Sequence, residues 1–507
     1  GNTATIDDVL RREMRQMEAA PASGQKIDQS RVRLERLGFF KGVKYDIVEL
    51  PGEDDLVDVV FEVEGQNSGS IGASIGYADG SGLVLSANLQ QNNFLGTGKR
   101  VGFSVTKNDY QLRYSINYTN PYYTIDGVSR GFSLFYKETD FDKLGVAEYS
   151  TNSYGGAVNY GYPISEISRL GFGFGISNIE ITTGQFAAQE IAGSPQAYSG
   201  VDNFLSGYPG DNDLVPLDCL YAFNPSPQCM GFTPHPGGDE PFTESSEGFI
   251  DRHGNEFLNL TVNASWRQSK LNRGMLPDRG YSQSLSFEAG IPSTDLEYFK
   301  FVYEGQYFLT LTQSTSLRFH TKLGIGEGYG DTEQLPFFEH FYAGGFGSIR
   351  GYERASVGPK GTPAERYFVD LPRDANGNPK ASDVGYVYNP VTGKFITSQQ
   401  PSSSDSFGGN ILTEAGVEFI FPLWFIEDRR SLRTVLFIDA GNVFDSSCGA
   451  GQVDCYDFQL EQLRASYGFG LTWISALGPL SFSLSEPINQ TSRDNTKFFQ
   501  FTIGTGF

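Results

Sequence analysis

From residue 71 to the C-terminus, apolar and polar positions alternate with a period of two. Ile71, Ala73, Ile75 and Tyr77 alternate with Gly72, Ser74 and Gly76, and the pattern recurs over residues 83–91, 100–106, 111–120, 131–137, 154–162, 170–182, 257–269, 281–289, 300–311, 316–326, 410–421, 432–439, 464–474, 480–486 and 497–507. Successive side chains on a strand point to opposite faces, so each segment predicts a strand with one apolar and one polar face. Counted together they make about sixteen strands, an even number of the kind that closes a bacterial membrane barrel. An even count also returns the C-terminus to the side where the barrel begins. The connections differ in length: residues 91–99 and 120–129 are short, whereas residues 183–252 and 327–408 are long excursions. Tight turns at one end and extended loops at the other fit periplasmic turns and extracellular loops. No apolar run approaches the roughly 20 residues that a spanning helix requires. The longest, residues 419–426, is broken by Pro422.

Residues 1–65 read differently. Thr5-Ile6-Asp7-Asp8 has the form of a capping box, and Ile6, Val9, Leu10, Met14 and Met17 follow at helical spacing, which predicts a first helix ending near Glu18. A second helix is expected over residues 26–37, with Ile27, Leu34 and Leu37 buried and Gly38 as its C-terminal cap. Two strands follow: Val43, Tyr45 and Ile47 alternate, residues 51–55 supply a turn, and Val57, Val59, Phe61 and Val63 alternate again. Two helices on two strands form a marginal core that a third strand would complete, so a strand preceding Gly1 is expected. The predicted class is thus mainly β: an antiparallel transmembrane β-barrel of about sixteen strands over residues 71–507, preceded by a small α+β domain (1–65) and a polar linker (66–70).

Composition sharpens this picture in three places. Aromatic residues make up 14% of the chain and glycines number 61, a density that suits strands between lipid and a lumen. Net charge is −22, which speaks against nucleic acid as a partner. Residues 183–252 carry Asp202, Asp211, Asp213, Asp218, Asp239, Glu240, Glu244, Glu247 and Asp251, a set without EF-hand spacing that reads as a solvated acidic loop. The four cysteines fall as two close pairs, Cys219 with Cys229 and Cys448 with Cys455. Local disulfides in an oxidising compartment explain such pairs; a zinc site is the rival reading, without CxxC spacing to support it. No charged segment followed by an apolar core opens the chain, so a secretory signal is read as absent or already removed.

Catalytic chemistry finds little footing. GxSxG is absent, and His235, His253, His320 and His340 show no spacing to serine and aspartate that marks a triad. The alternating glycines of residues 171–175 and 324–330 lie in strand-periodic sequence with no following helix, so they cannot present a helix N-terminus to phosphate. No enzyme activity, cofactor or metal site is expected.

The stretch with most character is residues 341–352, ending Gly347-Ser348-Ile349-Arg350-Gly351-Tyr352. It resembles the VRGF/VRGY motif of the BamA family, with isoleucine in place of valine. Residues 11–18, 23–26 and 36–40 resemble that family's last POTRA module, Phe437-Ile438-Asp439-Ala440-Gly441 matches its FxDxG strand motif, and the alternating C-terminal strand ending in Phe507 resembles its β-signal. The resemblance implies that the loop tip lies inside the barrel and that Arg350 meets an acid there. Asp439 is the first choice and Glu418 the second, since Glu418 points inward if Phe419 and Phe421 face lipid. A solvated arginine without a fixed partner is the alternative, though an unpaired buried charge is costly. Barrel closure brings Ile71, Gly72, Ala73, Ser74, Ile75, Gly76 and Tyr77 beside Phe499, Phe501, Ile503 and Phe507 as a glycine-rich, weak seam. In the family such a seam opens laterally; on residues alone, glycines that merely relieve crowding explain it equally well. The resemblance implies an outer-membrane location with a periplasmic POTRA domain, unfolded outer-membrane protein precursors as clients, accessory periplasmic lipoproteins and outer-membrane lipid as partners, and folding and insertion of barrel precursors as the function. A secretion pore of the same superfamily, exporting one partner protein, is the rival, and an ordinary porin or adhesin-like barrel a more distant one.

Overall fold

The computed structural model of the chain describes residues 4–504 apart from 53–55, 125, 185–186, 194–247, 293, 363–385, 390–393, 398–404, 424–430, 450–451 and 476–477. The N-terminal part holds helices α1 (Asp7–Arg11) and α2 (Gly24–Arg36) and the antiparallel pair β1 (Phe40–Glu49) and β2 (Val57–Gly65). Val9, Leu34, Phe39, Phe40, Val43 and Val63 form its buried core. The predicted first helix is cut short. It ends at Arg11 because the chain then turns back on α2, where the Arg15 amide donates to Ser30 Oγ at 2.8 Å, and Met17 is left exposed. The expected capping box does not form either: Ile6 is the N-cap, and Thr5 Oγ1 accepts a hydrogen bond from Asn93 Nδ2 at 2.7 Å.

The wall is a closed antiparallel barrel of 16 strands. In chain order these are β3 (Gly69–Ala78), β4 (Gly82–Phe94), β5 (Lys99–Lys107), β6 (Gln111–Asn120), β7 (Ser129–Asp140), β8 (Tyr149–Pro163), β9 (Ser168–Thr183), β10 (Glu256–Leu271), β11 (Gly280–Gly290), β12 (Tyr298–Thr310) and β13 (Ser316–Gly328). A separate hairpin, β14 (Tyr386–Asn389) with β15 (Lys394–Thr397), lies in the connection that follows. The wall resumes with β16 (Ile411–Phe421), β17 (Leu432–Phe444), β18 (Arg464–Ser475), β19 (Gly478–Pro487) and β20 (Phe499–Ile503). The strand starting at Gly69 shortens the expected linker. Exposed rows such as Phe172, Phe174 and Ile176, or Leu436 and Ile438, form the outer apolar surface, while Glu414, Glu418, Asp439, Ser466, Ser483 and Gln500 are buried on the inner side. Short helices α3 (Gln189–Ala192) and α4 (Phe249–His253) pack with Phe337 and Phe407 in an aromatic cluster over the end that carries the long connections.

The N-terminal domain docks on the opposite end. The Ile6 amide donates to the Gly96 carbonyl at 3.0 Å in the β4–β5 turn, Arg33 Nη2 donates to Tyr122 Oη at 2.9 Å in the β6–β7 turn, and buried Glu13 pairs with Arg33 at 2.8 Å. Replacing Glu13 by alanine leaves the Arg33 guanidinium without its carboxylate, a loss of about 1–3 kcal/mol. Limited proteolysis at residues 66–68 is expected to quicken in that variant; an unchanged cleavage rate would show that Glu13 does not hold the docked geometry.

Closure is the weakest part of the wall. Among the described residues β20 has five residues and pairs with β3 at Thr502 opposite Ala78 and Ile503 opposite Tyr77. The chain then kinks at Gly504, whose φ of +82° is one that L side chains rarely adopt. This corrects the expected seam: Ile71, Gly72, Ala73, Ser74, Ile75 and Gly76 pair with β4 alone among the described residues, and Phe507 lies outside them. Ile71 is 85% exposed on that edge.

Candidate functional site: a lumenal loop tip and the barrel seam

The connection between β13 and β16 folds back into the lumen, and Arg350 sits at its tip. Positive φ at Gly351 (+92°) turns the chain there, and a Cβ would meet Ser466 and Ser485 at 3.3 Å, so the tip presses on the inner wall. Arg350 Nε donates to Asp439 Oδ2 at 2.6 Å and Nη2 to Asp439 Oδ1 at 2.9 Å, a two-pronged grip. Nη2 also lies 2.9 Å from Glu418 Oε1, and the guanidinium stacks 3.5 Å from the centre of the Phe437 ring. The side chains of Arg350, Asp439 and Glu418 are 9%, 2% and 7% exposed. Low exposure removes the water that would screen them, so position and charge are held together. Arg318 donates to Glu418 at 3.0 Å, giving that carboxylate two cations.

Around this pair the other motif residues serve as anchors. Ser348 Oγ donates to Glu414 Oε1 and accepts from the Gly344 amide at 2.9 Å, and Ile349 is buried with Phe341, Ala343 and Leu412. Gly347 lines a cavity of about 440 Å³ beside Arg350, Arg318 and His320. Tyr352 is fully buried, and its burial pushes the phenol up to about 12. Gln500 of β20 donates from Nε2 to the Tyr352 carbonyl at 2.8 Å and accepts from the Gly351 amide at 3.3 Å. Gln500, Glu414 and the buried hydroxyl row Ser481, Ser483 and Ser485 carry no motif; their one sequence signal is their place on the polar side of the alternation.

Farther out, a loop closed by the disulfide Cys448–Cys455 grips the same connection: the Lys360 amide donates to the Val453 carbonyl at 2.9 Å, and burial lowers the Lys360 ammonium. Cys219 and Cys229 lie outside the described residues. Asp454 accepts two hydrogen bonds of 2.8 Å from Arg493, which depress its carboxyl below the ordinary 3.8. A depressed carboxylate stabilises the fold fully above its unfolded pKa, and that contribution disappears as pH falls through the folded value. Hydrogen exchange in residues 452–456 is therefore expected to stay slow down to about pH 4 and to accelerate below it; Asp454→Asn should remove that pH step.

Residues 93–507 match the Omp85 superfamily domain, and residues 1–65 match the family described as surface antigen variable number repeat, or POTRA. The chain is 30% identical over its whole length to the outer membrane protein assembly factor BamA of Neisseria meningitidis, covering 56% of that protein. It is 22% identical to the BamA of Nitratidesulfovibrio vulgaris, covering all of this chain and 50% of that one. The chain thus spans about half the length of the curated relatives it matches. Among solved structures, BamA from Haemophilus ducreyi lacking POTRA domains 1–3 superposes with a TM-score of 0.70 at 27% identity, over 99% of this chain and 82% of that one. CdiB from Acinetobacter baumannii shares the fold, with a TM-score of 0.51 at 11% identity over 99% of this chain and 72% of that one.

Proposed function

Because the chain belongs to the Omp85 superfamily, we propose that it assembles outer-membrane β-barrel proteins, folding their precursors and inserting them into the membrane. The chain is an outer-membrane protein, with its POTRA domain on the periplasmic face at the short β4–β5 and β6–β7 turns. One observation carries the proposal: the wall closes through two residue pairs, leaving most of β3 as a strand edge bonded on one side only among the described residues. An edge of free backbone N–H and C=O groups accepts an incoming strand of any sequence, which suits a catalyst for many different barrels. Client strand pairing and burial of apolar surface in lipid supply the driving force, and the seam lowers the barrier. The reaction makes and breaks no covalent bond. Unfolded outer-membrane precursors are the clients, and periplasmic lipoproteins and outer-membrane lipid are the proposed partners.

Arg350 with Asp439 and Glu418 is a latch in this scheme, holding the loop tip against the wall beside the seam. Depletion from cells separates this reading from export of one partner protein. Steady-state levels of many outer-membrane barrels are expected to fall together. Loss of a single secreted protein with the barrels intact would replace assembly with secretion.

A further inference from the structure

The seam is bridged from inside by four consecutive residues of the lumenal loop. On the β20 side, Gly351 and Tyr352 hold Gln500, the Lys497 amide donates to the Gly351 carbonyl at 2.9 Å, and the Glu353 amide donates to the Asn495 carbonyl at 2.8 Å. On the β3 side, Arg354 donates through Nη1 to Ser81 Oγ in the β3–β4 turn and through Nη2 to Tyr110 Oη at 2.5 Å in the β5–β6 turn, with its guanidinium 4.6 Å from the centre of the Tyr110 ring. Outside this bridge, Lys497 Nζ reaches Asp79 Oδ1 at 2.6 Å across the gap, the Asp79 amide donates to the Phe501 carbonyl at 3.2 Å, and Tyr77 stacks on Phe501 at 5.0 Å. Every one of these links lies at the end of the seam where the two wall pairs also are. The rest of the β3 edge, toward Gly69, has no such link to β20 among the described residues.

We propose that residues 351–354 form a clasp that holds the extracellular end of the seam shut, with Arg354 and Gln500 as its positioning residues. The seam then parts only when the lumenal loop releases one side, so loop movement and wall opening are a single event. That the seam opens at all rests on the assembly function proposed above; the clasp itself is a property of the resting barrel. Two turns joined to a neighbouring strand through a shared loop cannot separate without breaking charge-assisted hydrogen bonds, which are the stronger kind.

The test reads seam alignment without any client. In the full chain reconstituted in lipid, Ala78→Cys with Thr502→Cys places two cysteines directly opposite each other, within disulfide reach for an antiparallel pair. A second pair, Ser265→Cys with Ser286→Cys on β10 and β11, reports a wall site far from the seam. Under mild oxidant, Arg354→Ala and Gln500→Ala are each expected to slow the seam cross-link about tenfold, the change in alignment that loss of a charge-assisted or buried hydrogen bond represents, and to leave the β10–β11 cross-link unchanged. Arg354→Lys, which keeps the charge but cannot bridge Ser81 and Tyr110 together, should fall between. An unchanged seam rate, or equal slowing at both sites, would overturn the clasp. A slowed seam in a chain whose depletion leaves outer-membrane barrels intact would keep the clasp and remove the assembly reading.

Discussion

Replacing Arg350 by alanine is expected to destabilise the barrel by about 3–5 kcal/mol, the usual loss when one partner of a buried ion pair is removed. The magnitude follows from what is left behind. Asp439 would stay buried without its guanidinium, the His320 Nε2 lying 3.8 Å away, and Glu418 would keep Arg318. Phe437 would also lose the guanidinium stacked on its ring, a contact worth about 2 kcal/mol when shielded from water. The loop would then be held by Ser348, Ile349, the Gln500 contacts and the Arg354, Glu353 and Lys497 links. A fall in the urea midpoint of the refolded barrel, read as the shift between heat-modified and folded mobility on a gel, measures the effect. Asp439→Ala should be similarly harmful, and the double variant should cost less than the sum, because the second deletion removes an already orphaned charge. Additive losses would mean that the two residues are not coupled.

Locking the seam should have a still larger functional effect. Once Ala78→Cys and Thr502→Cys are joined, one of the two pairs that close the wall among the described residues is covalently fixed, and β3 cannot leave β20 at that end. If clients are templated on the β3 edge, cells that depend on the locked chain should stop accumulating folded outer-membrane barrels and stop growing. Reductant should restore both. The same treatment of the chain without the introduced pair controls for reduction of the native Cys448–Cys455 disulfide. Normal growth with the seam fully cross-linked would remove lateral opening from the mechanism.

Much of the architecture was legible because a barrel wall writes itself locally. A strand between lipid and a lumen needs apolar residues on every second position, and runs such as Leu436, Ile438 against Phe437, Asp439 show both the strand and the inward acid. The inward direction of Glu418 followed from its neighbours in the same way. The first helix misled because Met14 and Met17 extend the helical spacing, while a tertiary contact, the Arg15 amide on Ser30, ends the helix at Arg11. The seam's register was illegible for a different reason. It joins residues more than 400 positions apart, and no local pattern reports where β20 kinks at Gly504 or that, among the described residues, Tyr77 and Ala78 are the ones that pair with it. Arg354 and Lys497 were silent too, since each acts through a turn or loop partner, Ser81 and Asp79, that carries no periodic signal.

The most direct measurement is the folding of an unfolded barrel client added to liposomes that contain this chain. The client is expected to become protease-resistant and heat-modifiable much faster than in protein-free liposomes, and this gain is expected to disappear when the Ala78→Cys and Thr502→Cys pair is oxidised. A client that folds no faster than in protein-free liposomes would mean that this chain does not promote barrel assembly.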